Sequence, residues 1–171
     1  YAKVFNINID PLLVQVPEHR SNFDRLIVVP SGLTLNQIIT FFQTKFLVSL
    51  YVKDLDTNVI KNDRTNTKTY AIWVRDVIEA DEELKNLSAN DLIQKSISGV
   101  TLMERLLHEL LYYMETGRHL DVQNWTLCSS SRYSDGGVPN VYWNVDNRKF
   151  YVNWDYPANR NDYLRARAVV S

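Results

Sequence analysis

Nucleophilic chemistry in this sequence would fall to its one cysteine, Cys128, and to two of its three histidines, His108 and His119. A cysteine nucleophile needs a nearby base and a group that orients this base. The phosphatase pattern C-x5-R wraps backbone N–H groups around phosphate, and the shorter spacing from Cys128 to Arg132 cannot close such a cradle. A lone cysteine after the predicted strand WTLC is typical of a small buried residue. We predict that Cys128 is dispensable; a small hydrolase-like enzyme using Cys128 or the His108/His119 pair is an alternative.

A metal site is a second chemistry for these histidines, because Glu109 follows His108 and Asp121 lies two residues after His119. A zinc protease helix carries the pattern H-E-x-x-H, but Tyr112 stands where its second histidine would be. We therefore expect His108 at the boundary of a helical apolar stripe and His119 in a turn. We predict no metal and no cofactor.

The stretch SSSRYSDGGVP follows Cys128 and contains the residue types that build turns. Gly136 and Gly137 allow positive φ, Asp135 can accept backbone N–H groups, and Arg132 offers a planar fork for an anion. A phosphate loop usually leads into a helix, whereas this stretch leads into the predicted strand NVYW. We predict an ordered surface loop, with a purely structural loop that ties Arg132 to an internal carboxylate as the alternative. Its candidate binding residues are Arg132, Tyr133 and Asp135.

The stretch VYWNVDNRKFYVNWDYP is rich in aromatic residues. In two adjacent strands, alternation places Val141 and Phe150 on one face, which is apolar enough for a core, and Tyr142 and Tyr151 on the opposite face. A face of Tyr and Asn can stack and hydrogen-bond, as in single-stranded nucleic-acid binders. Tyr is also common in any half-exposed sheet. Tyr142 and Tyr151 are therefore candidate binding residues.

Consecutive acidic residues form the run EADEEL, which contains Glu79, Asp81, Glu82 and Glu83. Paired carboxylates can do acid–base work or bind Mg²⁺. Consecutive carboxylates before a helix are more often a solvated surface, and this is our prediction for the run.

One long helix over about 102–116 must position many of these residues. Thr101 and Glu104 form a capping box at its start, and Gly117 suits a left-handed cap at its end. Leucines at helical spacing form its apolar stripe, so we predict that Leu106 and Leu110 are buried.

Two shorter helices are predicted after the capping residues Thr34 and Ser88. Alternating patterns predict an extended segment at KVFNINI and strands at RLIVV, LVSLYVKD, TYAIWVRDVIE, NWTLC, NVYWNV and KFYVNW. The polar, turn-rich stretch over 54–68 predicts a loop. The strands after residue 124 are too close together for helical crossovers, so they should pair antiparallel. The predicted fold is a single α+β domain over 1–171, an antiparallel sheet packed against the three helices, with residues 1–25 as a peripheral N-terminal extension.

Length, charge, cysteine content and apolar runs limit the classes of function that the chain can have. The length of 171 residues suits one domain, and the net charge of −1 gives no basic excess for nucleic acid or anionic membranes. A single cysteine excludes an internal disulfide and fits a reducing, cytoplasmic compartment. The apolar runs are too short to span a membrane, so we expect no membrane partner.

A resemblance to an uncharacterised family of bacterial hypothetical proteins covers roughly residues 51–171. It rests on the stretches YAIWVRD, EADEELKNLSANDL, GVTLMERLLHELLYYMETGRHLD, TLCSSSRYSDGGVP and LRARAVVS. The resemblance implies a standalone bacterial or mobile-element protein, and it implies no activity, cofactor or catalytic residue.

These patterns favour a non-enzymatic binding or interaction protein whose partner is another protein. We expect its contact surface in the loops over 54–68 and 129–139, because contact residues concentrate on loops held by a rigid sheet. A single-stranded nucleic-acid-binding module that uses the Tyr- and Trp-rich strands is the alternative to a protein partner.

Overall fold

The computed structural model describes all residues, 1–171, and contains five α-helices. They are α1 (Ala2–Phe5), α2 (Leu35–Gln43), α3 (Leu55–Asn58), α4 (Ala89–Gln94) and α5 (Leu102–Thr116). Single 3-10 turns lie at Pro11–Leu13 and Glu82–Leu84. The predicted long helix and the two shorter helices correspond to α5, α2 and α4. No helix combines the length and the apolar character that crossing a bilayer requires.

Nine strands accompany these helices. They are β1 (Arg25–Val29), β2 (Leu47–Leu50), β3 (Val59–Asn62), β4 (Tyr70–Val74), β5 (Trp125–Leu127), β6 (Ser131–Tyr133), β7 (Val138–Asn144), β8 (Lys149–Asp155) and β9 (Leu164–Ala166).

The main sheet has five strands in the order β2-β8-β7-β5-β9, and β1 with β4 and β3 with β6 form two separate antiparallel pairs. β7 pairs antiparallel with β5 and β8, as the short connections predict. β2 and β9, however, pair parallel with β8 and β5. The fold is mixed α/β with a mixed main sheet, and the prediction of an antiparallel sheet alone is wrong. Short connections require antiparallel pairing among β5, β7 and β8, whereas long stretches of chain separate β2 from β8 and β5 from β9 and allow them to pair parallel.

The capping boxes of all three predicted helices are present. At the start of α5, the backbone N–H of Glu104 donates to Thr101 Oγ1 at 3.2 Å, and the N–H of Thr101 donates to Glu104 Oε2 at 2.7 Å. Gly117 ends the helix at φ 68°, a left-handed conformation that glycine adopts without steric strain. These local interactions explain why the sequence alone predicts the bounds of α5.

The main core surrounds α5. Leu106 and Leu110 are buried in it, as predicted, and α2 contributes Phe42. The main sheet contributes Val141 and Phe150 from the face that alternation predicts to be apolar. A second, smaller cluster lies where α4 and the turn before it pack on the opposite face of β5, β7 and β9. Its buried members are Leu84, Ala89, Leu92, Leu127, Val138, Leu164 and Ala166.

The prediction of a loop over 54–68 is wrong for most of this stretch. This stretch contains α3 and β3, and β3 pairs with β6, which belongs to the other predicted surface loop. Leu55 and Val59 are buried in the core, whereas Ile60 and Lys61 are exposed. Most of the stretch is polar because one side of the β3–β6 pair is exposed to solvent. Its two buried apolar residues, Leu55 and Val59, are too few to predict a strand from the sequence.

Residues 1–25 run across the surface, and Ile27 is the first buried residue of the chain. The extended conformation predicted for KVFNINI is wrong for its first residues, which belong to the short helix α1. Phe5 packs edge-on against Phe41 of α2 with ring centroids 6.2 Å apart. The indole N–H of Trp73 in β4 donates to the carbonyl of Pro17 at 2.9 Å. The segment is therefore held against α2 and β4 by a few specific contacts.

Candidate functional site

Three aromatic rings from neighbouring strands stack face to face in a row across the main sheet. Tyr142 of β7 is the register partner of Tyr151 of β8, and their parallel rings have centroids 4.9 Å apart. Trp125 of β5 stacks on the other face of Tyr142 at 4.6 Å, with planes 15° apart. We call this row of Trp125, Tyr142 and Tyr151 the aromatic ladder.

Alternation along β7 and β8 explains where the ladder lies. Val141 and Phe150 point into the core under α5, so Tyr142 and Tyr151 must point to the opposite face of the sheet. All three ladder residues are half-buried. The ring of Tyr163, 49% exposed, leans on Trp125 at 5.0 Å. The ladder therefore lies beside the part of this face that α4 covers, and its outer edge reaches solvent.

Polar groups fix the ladder. The side-chain amide of Asn147 donates to the hydroxyl of Tyr151 at 2.7 Å. Burial raises the pKa of Tyr142. Its hydroxyl, like that of any tyrosine at neutral pH, carries a proton that it can donate in a hydrogen bond. On the same face, Asn140 donates to the carboxylate of Asp155 at 3.0 Å. The resulting surface combines aromatic edges, hydroxyls and amides.

The stacking also limits what the ladder can bind. Both faces of the Tyr142 ring are covered, one by Trp125 and the other by Tyr151. Single-strand nucleic-acid binders instead stack bases on open aromatic faces. The ladder therefore presents edges and hydroxyl groups to a ligand, which suits the side chains of a protein surface, where Tyr and Trp are enriched.

The stretch over 129–139 is mostly buried, so the prediction of a surface loop is wrong for its first half. Ser131 is fully buried in β6; its hydroxyl donates to Asn62 at 2.6 Å and accepts the N–H of Leu102 at the start of α5. The N–H of Ser130 donates to the carbonyl of Val100. Ser130 and Ser131 therefore connect the β3–β6 pair to the start of α5. Their backbone N–H groups are already hydrogen-bonded and cannot bind an anion.

Tyr133, a predicted binding residue, is also buried, and its hydroxyl donates to the carbonyl of Asn153 at 3.1 Å. This position removes Tyr133 from any exposed contact surface. Its burial follows from strand alternation in β6, where Ser131 and Tyr133 face inward on both sides of Arg132.

Arg132 is half-buried, and burial lowers its pKa. Its Nη1 donates to the carbonyls of Ser129 and Ser131 at 2.7 and 2.8 Å. The alternative with an internal carboxylate is thus wrong about the partner, because the guanidinium binds backbone carbonyls. Its role as a contact residue stays a prediction.

Asp135 organises the exposed tip of this stretch. Its carboxylate accepts the indole N–H of Trp154 at 3.0 Å, the N–H of Gly137 at 2.9 Å and the hydroxyl of Tyr51 at 3.2 Å. These hydrogen bonds lower the pKa of Asp135, that from Trp154 most strongly. Gly136 has φ 87°, and a Cβ on Gly137 would lie 1.6 Å from Trp154 Nε1. Asp135, Gly136 and Gly137 therefore fix the turn.

Cys128 is fully buried in the main core, as its sequence context predicts. Burial raises the pKa of its thiol well above the ordinary range. No hydrogen bond joins Cys128 to His108 or His119. A buried thiol of raised pKa supplies no thiolate nucleophile at neutral pH.

The two histidines occupy different environments. His108 is 1% exposed and neither ring nitrogen has a hydrogen-bond partner, so its predicted boundary position on α5 is wrong. Burial, reinforced by nearby arginines, lowers the pKa of His108 well below its usual value. His119 stacks on Trp143 at 3.5 Å, and its Nδ1 lies 2.8 Å from Glu109 Oε1. The chain nowhere gathers three or more side chains that could hold a metal ion.

The acidic run is only partly a solvated surface. Glu82 and Glu83 are exposed, but Asp81 is buried and pairs with Arg75 at 2.5 Å. Glu79 accepts backbone N–H groups of residues 122–124. The prediction is therefore wrong for Asp81 and Glu79, because their partners lie outside the run: Arg75 is six residues before Asp81, and the partners of Glu79 are more than 40 residues away.

Sequence patterns missed a buried charge cluster beside α5. Arg105 and Asp121 are both fully buried, and Arg105 Nε donates to Asp121 Oδ2 at 2.9 Å. Arg105 also pairs with the buried Glu109 at 2.9 Å, and Arg167 donates to Asp121 Oδ1 at 2.7 Å. Two cations thus face two carboxylates inside the protein. The sequence gives only a weak indication of this cluster. Arg105 lies at a core-facing position of the predicted helix, one turn before Glu109.

Comparison of the chain with family models, with curated proteins and with solved structures returned no match. The resemblance to uncharacterised bacterial proteins therefore stays a prediction.

Proposed function

We propose that this protein is a non-enzymatic interaction protein that binds another protein through the aromatic ladder. The observation that carries the proposal is the stack of Trp125, Tyr142 and Tyr151 on a partly exposed sheet face, with its edges toward solvent. Aromatic side chains bury a large area at a small cost in conformational entropy, and Tyr and Trp often dominate the affinity of protein interfaces. A rigid stack is already ordered before a partner binds, which lowers this cost further.

Charge also favours a protein partner over a nucleic acid. Lys149 lies beside the ladder in β8, and the exposed Arg148 and Asp146 in the turn before it carry opposite signs, so no large block of positive charge forms there. Nucleic-acid affinity depends on several cations that neutralise phosphates, and a protein with a net charge of −1 lacks this excess. The interiors of protein interfaces are instead depleted of charge.

Affinity capture with matched variants tests the proposal. The double variant Tyr142→Ser/Tyr151→Ser removes two rungs of the ladder, and Tyr156→Ser removes a tyrosine that is 68% exposed and lies outside the ladder. Proteins cross-linked to the wild type in a lysate of the source cell are quantified by mass spectrometry. We expect at least one specific partner whose recovery falls about tenfold with the double variant and is unchanged with Tyr156→Ser.

Equal recovery of all partners by the wild type and the folded double variant would contradict the proposal. Fluorescence anisotropy with labelled single-stranded DNA and RNA supplies the second arm. Oligonucleotide binding by the wild type that is lost with the double variant would assign the ladder to nucleic acid and overturn the protein partner. Melting curves of each variant ensure that lost binding is not lost folding.

A further inference from the structure

One edge of the main sheet is open along β2. This strand is the last of the sheet, and β8 is its only neighbour. The N–H of Tyr51 donates to the carbonyl of Val152 at 2.9 Å, and the backbone groups of successive strand residues point to opposite sides. The backbone of Ser49 therefore also faces β8. The N–H and C=O groups of Val48 and Leu50 point away from the sheet, where no strand pairs with them. We call this side of β2 the β2 edge.

The β2 edge is accessible to solvent and lacks the usual protection against strand pairing. Val48, Ser49 and Leu50 are half-buried, and Leu47 is 62% exposed. Exposed sheet edges normally carry charged residues, proline or a bulge that keeps other strands from joining. Residues 46–52 contain no charged residue and no proline, and β2 pairs with β8 without a register shift. The β2 edge can therefore accept a further strand.

The aromatic ladder ends beside β2. Ser49 is the register partner of Tyr151, so both side chains lie on the ladder face of the sheet. Tyr142 stacks on one face of the Tyr151 ring, and no aromatic ring stacks on the other. The side chain of Ser49 is small and leaves space above it. A strand added to the β2 edge can therefore place one side chain over Ser49 and against the ring of Tyr151.

Charge differs between the two ends of β2. Lys149 is the register partner of Leu47, so one end carries a positive charge. At the other end, the hydroxyl of Tyr51 donates to the carboxylate of Asp135 at 3.2 Å. Residues 53 and 54, which follow this end, carry opposite charges that offset each other. An added strand with an acidic residue near Leu47 and a basic residue near Tyr51 would complement both ends.

We propose that the partner protein adds an extended segment to the β2 edge, with an aromatic side chain over Ser49, an acidic residue near Leu47 and a basic residue near Tyr51. This inference rests on the proposed function, because it takes the aromatic ladder as part of the interface. In this mode of binding, backbone hydrogen bonds provide affinity and the contacts of alternate side chains provide specificity. The segment becomes the sixth strand of the main sheet.

Selection from a phage-displayed library of short random peptides tests the proposal on the full chain. We expect binders that carry an aromatic residue between an acidic and a basic residue. With the tightest binder, hydrogen–deuterium exchange followed by NMR should show new protection of the amides of Val48 and Leu50. Val48→Pro removes one of these N–H groups without removing a hydrogen bond to β8, and we expect it to weaken binding about tenfold. Val48→Ala is the matched control, since it keeps the N–H and should bind as the wild type does.

Ser49→Leu tests the aromatic contact. A leucine at this position covers the ring of Tyr151 and leaves every backbone group in place. Replacing the aromatic residue of the peptide with alanine should weaken binding to the wild type about tenfold and leave binding to Ser49→Leu unchanged. An equal loss with both proteins would place the aromatic residue elsewhere and contradict the proposal.

Strand addition is overturned by a selection without binders, by protection confined to other amides, or by a folded Val48→Pro variant that binds as tightly as Val48→Ala. If Val48→Pro does not fold, the exchange pattern of the wild type alone decides. Lysate capture separates this proposal from the proposed function. Partners lost with Tyr142→Ser/Tyr151→Ser but retained by Val48→Pro would overturn strand addition alone, whereas partners retained by the ladder variant would overturn the proposed function.

Discussion

Arg167 donates a hydrogen bond from Nη2 to Oδ1 of Asp121 at 2.7 Å, and 46 residues separate the two in the chain. Asp121 also accepts Arg105 of α5 through Oδ2 and the backbone N–H of Ala80 through Oδ1. One carboxylate thus joins the long helix, the turn that follows it and the segment after β9. Both arginines are buried, so Asp121 is the main compensation for two charges that have lost their water.

Replacing Asp121 with Asn should therefore destabilise the fold strongly. The variant keeps the shape of the side chain and removes its charge, which leaves Arg105 with Glu109 as its only carboxylate partner and Arg167 with neutral acceptors alone. We expect a loss of about 3–5 kcal/mol in the free energy of unfolding, measured by urea denaturation. Asp146→Asn, at an exposed position, should change it by less than about 0.5 kcal/mol. Equal stability of the two variants would show that the cluster is not needed.

Truncation of Leu106 tests the place of α5 in the core. Leu106 is fully buried in the main core, so Leu106→Ala should cost about 2–5 kcal/mol through lost burial and a residual cavity. The control on the same helix is Met114→Ala, because Met114 is 58% exposed. A loss below about 1 kcal/mol for Leu106→Ala in denaturant melts is incompatible with this packing.

His108 should make stability fall as the pH drops. In the unfolded chain His108 binds a proton near the ordinary histidine pKa of about 6.5, whereas in the folded protein burial holds its pKa well below that value. Below about pH 6.5 the unfolded state therefore binds more protons than the folded state. This histidine alone should lower stability by up to about 1.4 kcal/mol per pH unit until the folded pKa is reached.

Denaturation of His108→Leu between about pH 7 and pH 5 isolates this contribution. Leucine has no proton to bind and fills a site where the imidazole makes no hydrogen bond, so the variant should have a flatter pH profile. His19→Leu removes an exposed histidine and should retain the wild-type slope. Parallel profiles for the wild type and His108→Leu would place the titration elsewhere.

Cys128 should react with thiol reagents only when the protein opens. Its sulfur is fully buried and burial raises its pKa, so neither access nor thiolate is available in the folded state. A disulfide reagent at neutral pH should label Cys128 at the rate of unfolding, and denaturant should make labelling immediate. Ser134→Cys places a second thiol at an exposed position and should react at once. Rapid labelling of native Cys128 would revive the enzymatic alternative.

Local signals made α5 and the faces of β7 and β8 predictable. The capping box of Thr101 and Glu104 acts within one helical turn, and alternation acts between neighbouring residues. Both are complete in a short stretch of sequence, so the burial of Leu106 and the shared face of Tyr142 and Tyr151 follow without knowledge of the rest of the chain.

The partners of distant segments were not predictable. Leu47 of β2 pairs with Lys149 of β8, well over half of the chain away, and β3 pairs with β6 although both lie in polar stretches. Asp81 and Glu79 are satisfied by groups that the acidic run does not contain. The stacking of Trp125 on Tyr142 depends on strand order, which a single sequence does not encode locally.

The Asp121 cluster also decides how the molecule opens. In many proteins, peripheral segments detach in partial openings that need far less free energy than global unfolding. Release of residues 164–170 here would withdraw Arg167 and leave Arg105 as the one arginine that pairs with Asp121, while β5 would lose its parallel neighbour. The slowly exchanging amides of this segment and of α5 should then belong to one cooperative unit, in which the peripheral strand opens only together with the centre.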